Sequence, residues 1–154
     1  MPAKQYKYLP LHEIVLRKYE KPDASLSQRE QYKRLCLSLG LLQPGDSRDI
    51  VVDVLAVLLA AAKQKKMLDA QEIQEQVIAY RKQHQLPLLG IAPSNIRRQM
   101  RRMRQLFLVE KIKNKYRITE FMPLSKLFEE KLLAYLIPSI LSRVKEYIQQ
   151  VDET

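Results

Sequence analysis

The stretch that decides the reading is Ser94-Asn95-Ile96-Arg97-Arg98-Gln99-Met100-Arg101-Arg102-Met103-Arg104-Gln105-Leu106-Phe107-Leu108-Val109-Glu110-Lys111. Ile96, Met100, Met103 and Phe107 recur at the spacing of one buried helical stripe. At about 100° per residue, Ser94, Arg98, Arg101 and Gln105 gather on the opposite side, with Arg97, Arg102 and Arg104 flanking them. One side of this helix is core and the other is hydrogen-bond donors. The spacing predicts a helix capped by Ser94 and running to about Gln105. Beyond it the pattern turns to near-alternation over Leu108 to Ile112 and Tyr116 to Thr119. The two runs are joined at Lys113-Asn114-Lys115, where Asn tolerates the left-handed backbone of a tight turn, so a hairpin is predicted.

The charge is concentrated in the same place. The 154 residues carry a formal net charge of +10. From Pro93 to Thr119 the cations Arg97, Arg98, Arg101, Arg102, Arg104, Lys111, Lys113, Lys115 and Arg117 face Glu110 as the only anion, so this segment holds +8 of the total. A solvated face normally mixes signs, and here none of the five helical arginines has an acidic residue three or four positions away. Such a surface implies an anionic partner. A membrane surface fits poorly, because the exposed side lacks the Trp, Phe or Leu that would insert.

Working outward, Leu11 to Tyr19 has the spacing of a short helix, ended by Glu20 to Ser25. Ser27 and Glu30 have capping-box spacing for a second helix, which runs to a stop at Gly40. Gln43-Pro44-Gly45-Asp46-Ser47 is a turn and an expected boundary. Arg48 to Lys66 reads as a buried helix, apolar on most sides and interrupted by Asp53. Asp69 is an N-cap for a helix to about Gln85, with Ile73, Val77, Tyr80 and His84 on one side. After a proline-bracketed link comes the arginine helix with its hairpin. Leu124 to Leu136 and Pro138 to Gln150 then read as two amphipathic helices.

The order helix, helix, helix, hairpin resembles the winged helix-turn-helix superfamily over residues 47–119. The local likeness lies in the arginine helix running into Leu108-Val109-Glu110-Lys111, with Tyr116-Arg117-Ile118-Thr119 as the returning strand. The resemblance implies a mainly α fold of three helices plus a β-hairpin wing. Residues 1–46 and 120–154 are then N- and C-terminal helical extensions. It also implies a DNA-binding protein, of the kind found among transcriptional regulators and replication or partition accessory factors. The residues expected to meet nucleic acid are Ser94, Asn95, Arg97, Arg98, Arg101, Arg102, Arg104, Gln105, Lys111, Lys113, Lys115 and Arg117. Double-stranded DNA is the favoured ligand, because a helix fits the major groove, where Arg pairs with guanine and Gln or Asn with adenine. The alternatives are a protein-interaction module meeting an acidic partner, and structured RNA.

Other chemistry finds little footing. His12 and His84 are isolated, and the acidic pairs Glu72 with Glu75 and Glu129 with Glu130 fall on polar helix faces. Neither Gly40 nor Gly90 sits in a phosphate-cradling loop. No catalytic, metal or cofactor site is expected, and the protein is not read as an enzyme. Cys36, the single cysteine, lies on an apolar face and is expected to be an inert core thiol. The start Met1-Pro2-Ala3-Lys4-Gln5 lacks a secretory apolar region, and Ile50 to Ala62 is too short to span a bilayer. A cytoplasmic or nucleoid-associated protein is therefore expected. The C-terminal helices are richer in apolar residues than a lone helical hairpin can bury. They are expected either to form a homodimer or to pack on the N-terminal helices.

Overall fold

The computed structural model describes residues 8–154; Met1 to Lys7, with the start read above for a leader, lie outside them. The fold is mainly helical with one small antiparallel sheet. In chain order it comprises α1 (Gln28–Ser38), α2 (Ile50–Lys63), β1 (Leu68–Asp69), α3 (Ala70–Gln83), α4 (Pro93–Gln105), β2 (Val109–Ile112) and β3 (Lys115–Ile118). A C-terminal helix follows. It starts with α5 (Leu124–Leu127), passes through a π-helical stretch (Phe128–Leu136) and resumes as α6 (Ile137–Asp152). Among the described residues no helix is long and apolar enough to cross a membrane.

α2 is the axle of the molecule. Every residue from Ile50 to Leu58 is buried, because α1, α3, α4 and β3 all pack against it. A helix apolar all round is stable only when covered on every side, and this one is. Asp53 is the exception in composition: it is fully buried, held between Arg29 of α1 and Arg81 of α3. Arg29 reaches Asp53 at 3.1 Å and Asp49 at 3.1 Å, Arg81 reaches Asp49 at 3.2 Å, and Lys33 of α1 lies 3.8 Å from Asp49, so five charges tie three helices together. Arg81 also donates to the Pro87 carbonyl oxygen at 2.7 Å, fixing the link between α3 and α4. The buried side of α3 is thus Ile73, Val77 and Arg81, while Tyr80 and His84 stack on each other beside it.

Several expectations need correcting. Leu11 to Tyr19 is not helical. The segment lies extended along the end of α1, where the Arg17 amide donates to the Ser38 carbonyl at 2.9 Å and the guanidinium to that of Leu37 at 2.9 Å. Tertiary hydrogen bonds here override a helical apolar spacing. β1, absent from the sequence reading, pairs with the outer side of β3 through Leu68 opposite Tyr116, giving the order β1-β3-β2. Glu72, read as a solvated carboxylate, completes a capping box with Asp69 at the start of α3.

The two expected C-terminal helices are one continuous helix. Leu136 and Ile137 both have right-handed helical backbone angles, so Pro138 does not separate two arms. The Ile137 amide donates to the Leu132 carbonyl, five residues back. A proline ring in a regular α-helix clashes with the carbonyl four residues earlier, and the extra residue of a π-turn moves that carbonyl aside.

Each of the first four helices ends in a Schellman motif. The residue past each C-cap is left-handed, at Gly40 (φ 70°), Lys65 (φ 52°), Gln85 (φ 55°) and Phe107 (φ 60°). The 6→1 bonds from Leu41 to Cys36, Lys66 to Ala61, Leu86 to Arg81 and Leu108 to Met103 close them. At Gly40 the side of the missing Cβ is occupied. A carbon there would stand 2.7 Å from the Val15 carbonyl oxygen, so the extended N-terminal segment is pressed onto this glycine.

Candidate nucleic-acid interface

α4 buries Ile96, Met100 and Met103 against the core, as their spacing requires. Its start differs from the expected cap. Ala92 is the N-cap and Pro93 the first helical residue, a position where proline's missing N–H costs nothing. Ser94 is therefore an exposed residue of the first turn and not the cap. The Asn95 and Ile96 amides both go to the Ala92 carbonyl, at 3.0 and 3.1 Å.

The expected contact residues divide into two sets. Ser94, Arg97, Arg98, Arg101, Arg104 and Gln105 of α4, with Lys111, Lys113 and Lys115 of the hairpin, are exposed. Among the described residues, none of these four arginines and three lysines has a carboxylate within ion-pair distance. The other three are half-buried and bonded to groups of the protein itself, so they do not belong to a free donor surface. Arg102 donates to the Gly40 carbonyl at 2.8 Å and to Gln99 at 3.1 Å. Asn95 donates to the Gly90 carbonyl at 2.8 Å and accepts from Gln99 at 3.2 Å. Arg117 pairs with Glu110 across the hairpin at 2.8 Å and lies 4.7 Å from the centre of the Phe121 ring. Their partners outside α4 lie in the link before it, at the end of α1 and across the hairpin, and helical periodicity carries no information on those contacts.

The hairpin is tighter than expected. Ile112 pairs directly with Lys115, leaving a two-residue loop. Lys113 (φ 50°) and Asn114 (φ 64°) are both left-handed, the requirement of a type I′ turn. Tyr116 and Ile118 face the core, while Lys111, Lys113 and Lys115 surround the tip. The Lys111 ammonium lies 5.5 Å from the centre of the Tyr116 ring. Lys115 sits opposite Asp69 in the β1 pairing, and its charge adds a little to the lowering of that carboxyl's pKa, which the backbone N–H of Glu72 chiefly causes.

No family model matches the chain, and no curated protein or solved structure is significantly similar to it. The interface rests on its own geometry.

Two clefts border α4, and the sequence carried no signal for either. At its N-terminal half, Arg48 and Gln43 join Asn95, Arg98 and Arg102 around a cleft of about 520 Å³. At its C-terminal half, Leu9 to Glu13 of the N-terminal segment lie across from Arg101, Arg104, Gln105 and Lys111 around about 750 Å³. Arg48 and His12 therefore join the basic surroundings of α4 from positions remote in sequence. Cations outnumber carboxylates around the helix, although Asp46 lines the first cleft and Glu13 and Glu110 line the second. Among the described residues no group of His, Cys, Asp and Glu is arranged to hold a metal ion.

Proposed function

We propose that this chain is a winged helix-turn-helix protein that binds duplex DNA, with α4 as the recognition helix and the β2–β3 hairpin as the wing. The observation that carries the proposal is the set of seven exposed cations, Arg97, Arg98, Arg101, Arg104, Lys111, Lys113 and Lys115, on one helix and the adjoining hairpin, with no carboxylate within ion-pair distance among the described residues. The element order from α2 to β3, with β1 pairing on the outer side of the hairpin, supports the fold part of the reading.

The division of labour follows from geometry. A helix about 10–12 Å across with its side chains enters the major groove. Arg98 and Arg101 lie opposite the buried stripe and are the base readers, each able to pair two donors with a guanine edge. Gln105 lies on the same side and suits adenine. Arg97 and Arg104 flank that line and reach the phosphates on either side. The three lysines at the hairpin are point charges for the backbone, which position the protein without reading sequence.

The test is a competition of the full chain for duplex DNA, duplex RNA and single strands across a salt series. Duplex DNA is expected to bind tightest. The logarithm of affinity is expected to fall with the logarithm of salt with a slope between about −3 and −6, the range for three to seven neutralised phosphates. Arg98→Ala or Arg101→Ala should cost about 1–3 kcal/mol and relax sequence preference, whereas Lys113→Ala should weaken all sequences alike and reduce the slope by about 1. Tighter binding to duplex RNA, or no binding to any nucleic acid, would overturn the assignment.

A further inference from the structure

α6 has no buried residue. Ile137 and Ile140 still pack partly against the core, and beyond them the helix leaves the domain, every residue from Leu141 to Thr154 being exposed. Along it runs an apolar stripe of Ile137, Leu141, Val144, Ile148 and Val151, with spacings of four, three, four and three residues. This is the heptad repeat of a coiled-coil seam, with Leu141 and Ile148 at a and Ile137, Val144 and Val151 at d. The outward positions carry the charge: Arg143 and Glu146 form an ion pair within the helix, at c and f.

We infer that α6 is a dimerisation helix, and that its occupant is α6 of a second copy of this chain in a parallel two-stranded coiled coil.

Three observations select that occupant. The seam carries no charged residue, so it matches an identical seam, and a 3-4 repeat is the spacing at which two helices keep one seam in register. Leu141, Val144, Tyr147, Ile148 and Val151 are 49–73% exposed. They present on the order of 500 Å² of apolar surface, at the upper end of the largest patch a monomer ordinarily shows. Two copies together bring about 1,000 Å², the area at which an interface becomes specific. The turns beyond Ile140 have nothing of their own domain over their apolar side, and most of a helix's stability comes from covering that side.

The flanking residues choose the direction. In a fully overlapped antiparallel pair, Lys145 at position e falls beside Lys145 of the other copy, a like-charge contact at the middle of the seam. In a parallel pair, Tyr147 at g meets Asp152 at e of the other helix, a hydroxyl against a carboxylate. The parallel arrangement has no like-charge contact across the seam. It also sets both domains at the same end of the coiled coil, related by a two-fold axis along it.

The test needs no nucleic acid and is independent of the DNA-binding proposal. Sedimentation velocity of the full chain at micromolar concentration should give a dimer of about twice 18.1 kDa. Val144→Asp with Ile148→Asp should give a monomer that keeps the parent's circular dichroism outside a loss of helix at the C-terminus, since neither residue touches the core. Direction is read with Val144→Cys, whose thiols meet their symmetry mates at a d position only when the helices run parallel; Cys36 is buried and does not compete. Rapid disulfide-linked dimer on mild oxidation supports the parallel coil. A full chain that sediments as a monomer overturns the proposal, as does a dimer that survives the double substitution. A dimer in which Val144→Cys resists cross-linking overturns the parallel direction.

Discussion

Arg102 donates to the carbonyl oxygen of Gly40, 62 residues earlier in the chain, across 2.8 Å. The bond anchors the arginine helix to the end of α1 and removes one of its five arginines from the solvent-facing set. Gly40 is itself left-handed and pressed by Val15, so Arg102, the end of α1 and the N-terminal segment meet at one point. Arg102 and Arg101 should therefore behave as opposites under substitution. Arg102→Ala leaves a part-buried carbonyl without its charged donor and is expected to lower stability by about 1–3 kcal/mol. Arg101→Ala is expected to leave the unfolding midpoint within about 0.5 kcal/mol of the parent while weakening nucleic-acid binding. Denaturant unfolding beside a binding titration on both variants measures the split, and equal stability losses would remove the distinction.

The charge network of Arg29, Lys33, Asp49, Asp53 and Arg81 between α1, α2 and α3 makes a second prediction, for acid. Burial pushes the Asp49 carboxyl up, but the hydrogen bonds and charges of Arg29 and Arg81 outweigh it and hold the group below its ordinary value of 3.8. A carboxyl lowered by folding adds stability that is present above its unfolded pKa of about 3.9 and is lost as pH falls through the folded value. Stability is thus expected to drop below about pH 4, and Asp49→Asn should flatten that acid limb. Arg81→Met strands the fully buried Asp53 beside a single arginine and should cost about 3–5 kcal/mol at neutral pH, the penalty for breaking a buried pair from one side. Unfolding curves at pH 7 and pH 3 test both.

How much of this was legible in the sequence depends on whether a residue's partner is near it along the chain. The stripe Ile96, Met100 and Met103 placed α4, and the alternation around Lys113 and Asn114 placed the hairpin, because both signals are local. Arg102 and Arg117 are of the same residue type as the exposed arginines, and only a distant contact to Gly40 and a cross-strand one to Glu110 set them apart, while Asn95 is taken up by Gly90 in the link just before its helix. The segment Leu11 to Tyr19 has a helical apolar spacing, yet Arg17 donates to the Leu37 carbonyl in α1 and the Leu42 carbonyl beyond it and holds the chain against them. Lys65, Gln85 and Phe107 end helices in the left-handed conformation without glycine, so the usual stop signal is missing there. β1 is two residues long and has no pattern to find. Asp53 was visible as an interruption of an apolar helix, but its partners Arg29 and Arg81 stand 24 and 28 residues away.

Cys36 offers the last prediction. Burial among the apolar residues of the core pushes its thiol up to about 12, the nearby Asp53 charge adding to the rise while Arg102 and Arg29 oppose it. The thiolate is the reactive form, so at pH 8 the folded protein should react with a disulfide reagent far more slowly than a free cysteine, whose pKa is about 8.5. Full reactivity should return in denaturant. The same shift has a stability sign. A group raised by folding contributes stability that is intact below its unfolded pKa and is lost as pH climbs toward the folded value, here between about 8.5 and 12, by up to about 1.4 kcal/mol for each pH unit. Cys36→Ala should lower stability at pH 7 through the small cavity it leaves, yet narrow its gap to the parent as pH rises, because alanine has no proton to lose. Rapid thiol modification of the folded chain at pH 8, or parallel pH profiles for the two proteins, would show that Cys36 is reached by solvent through local opening.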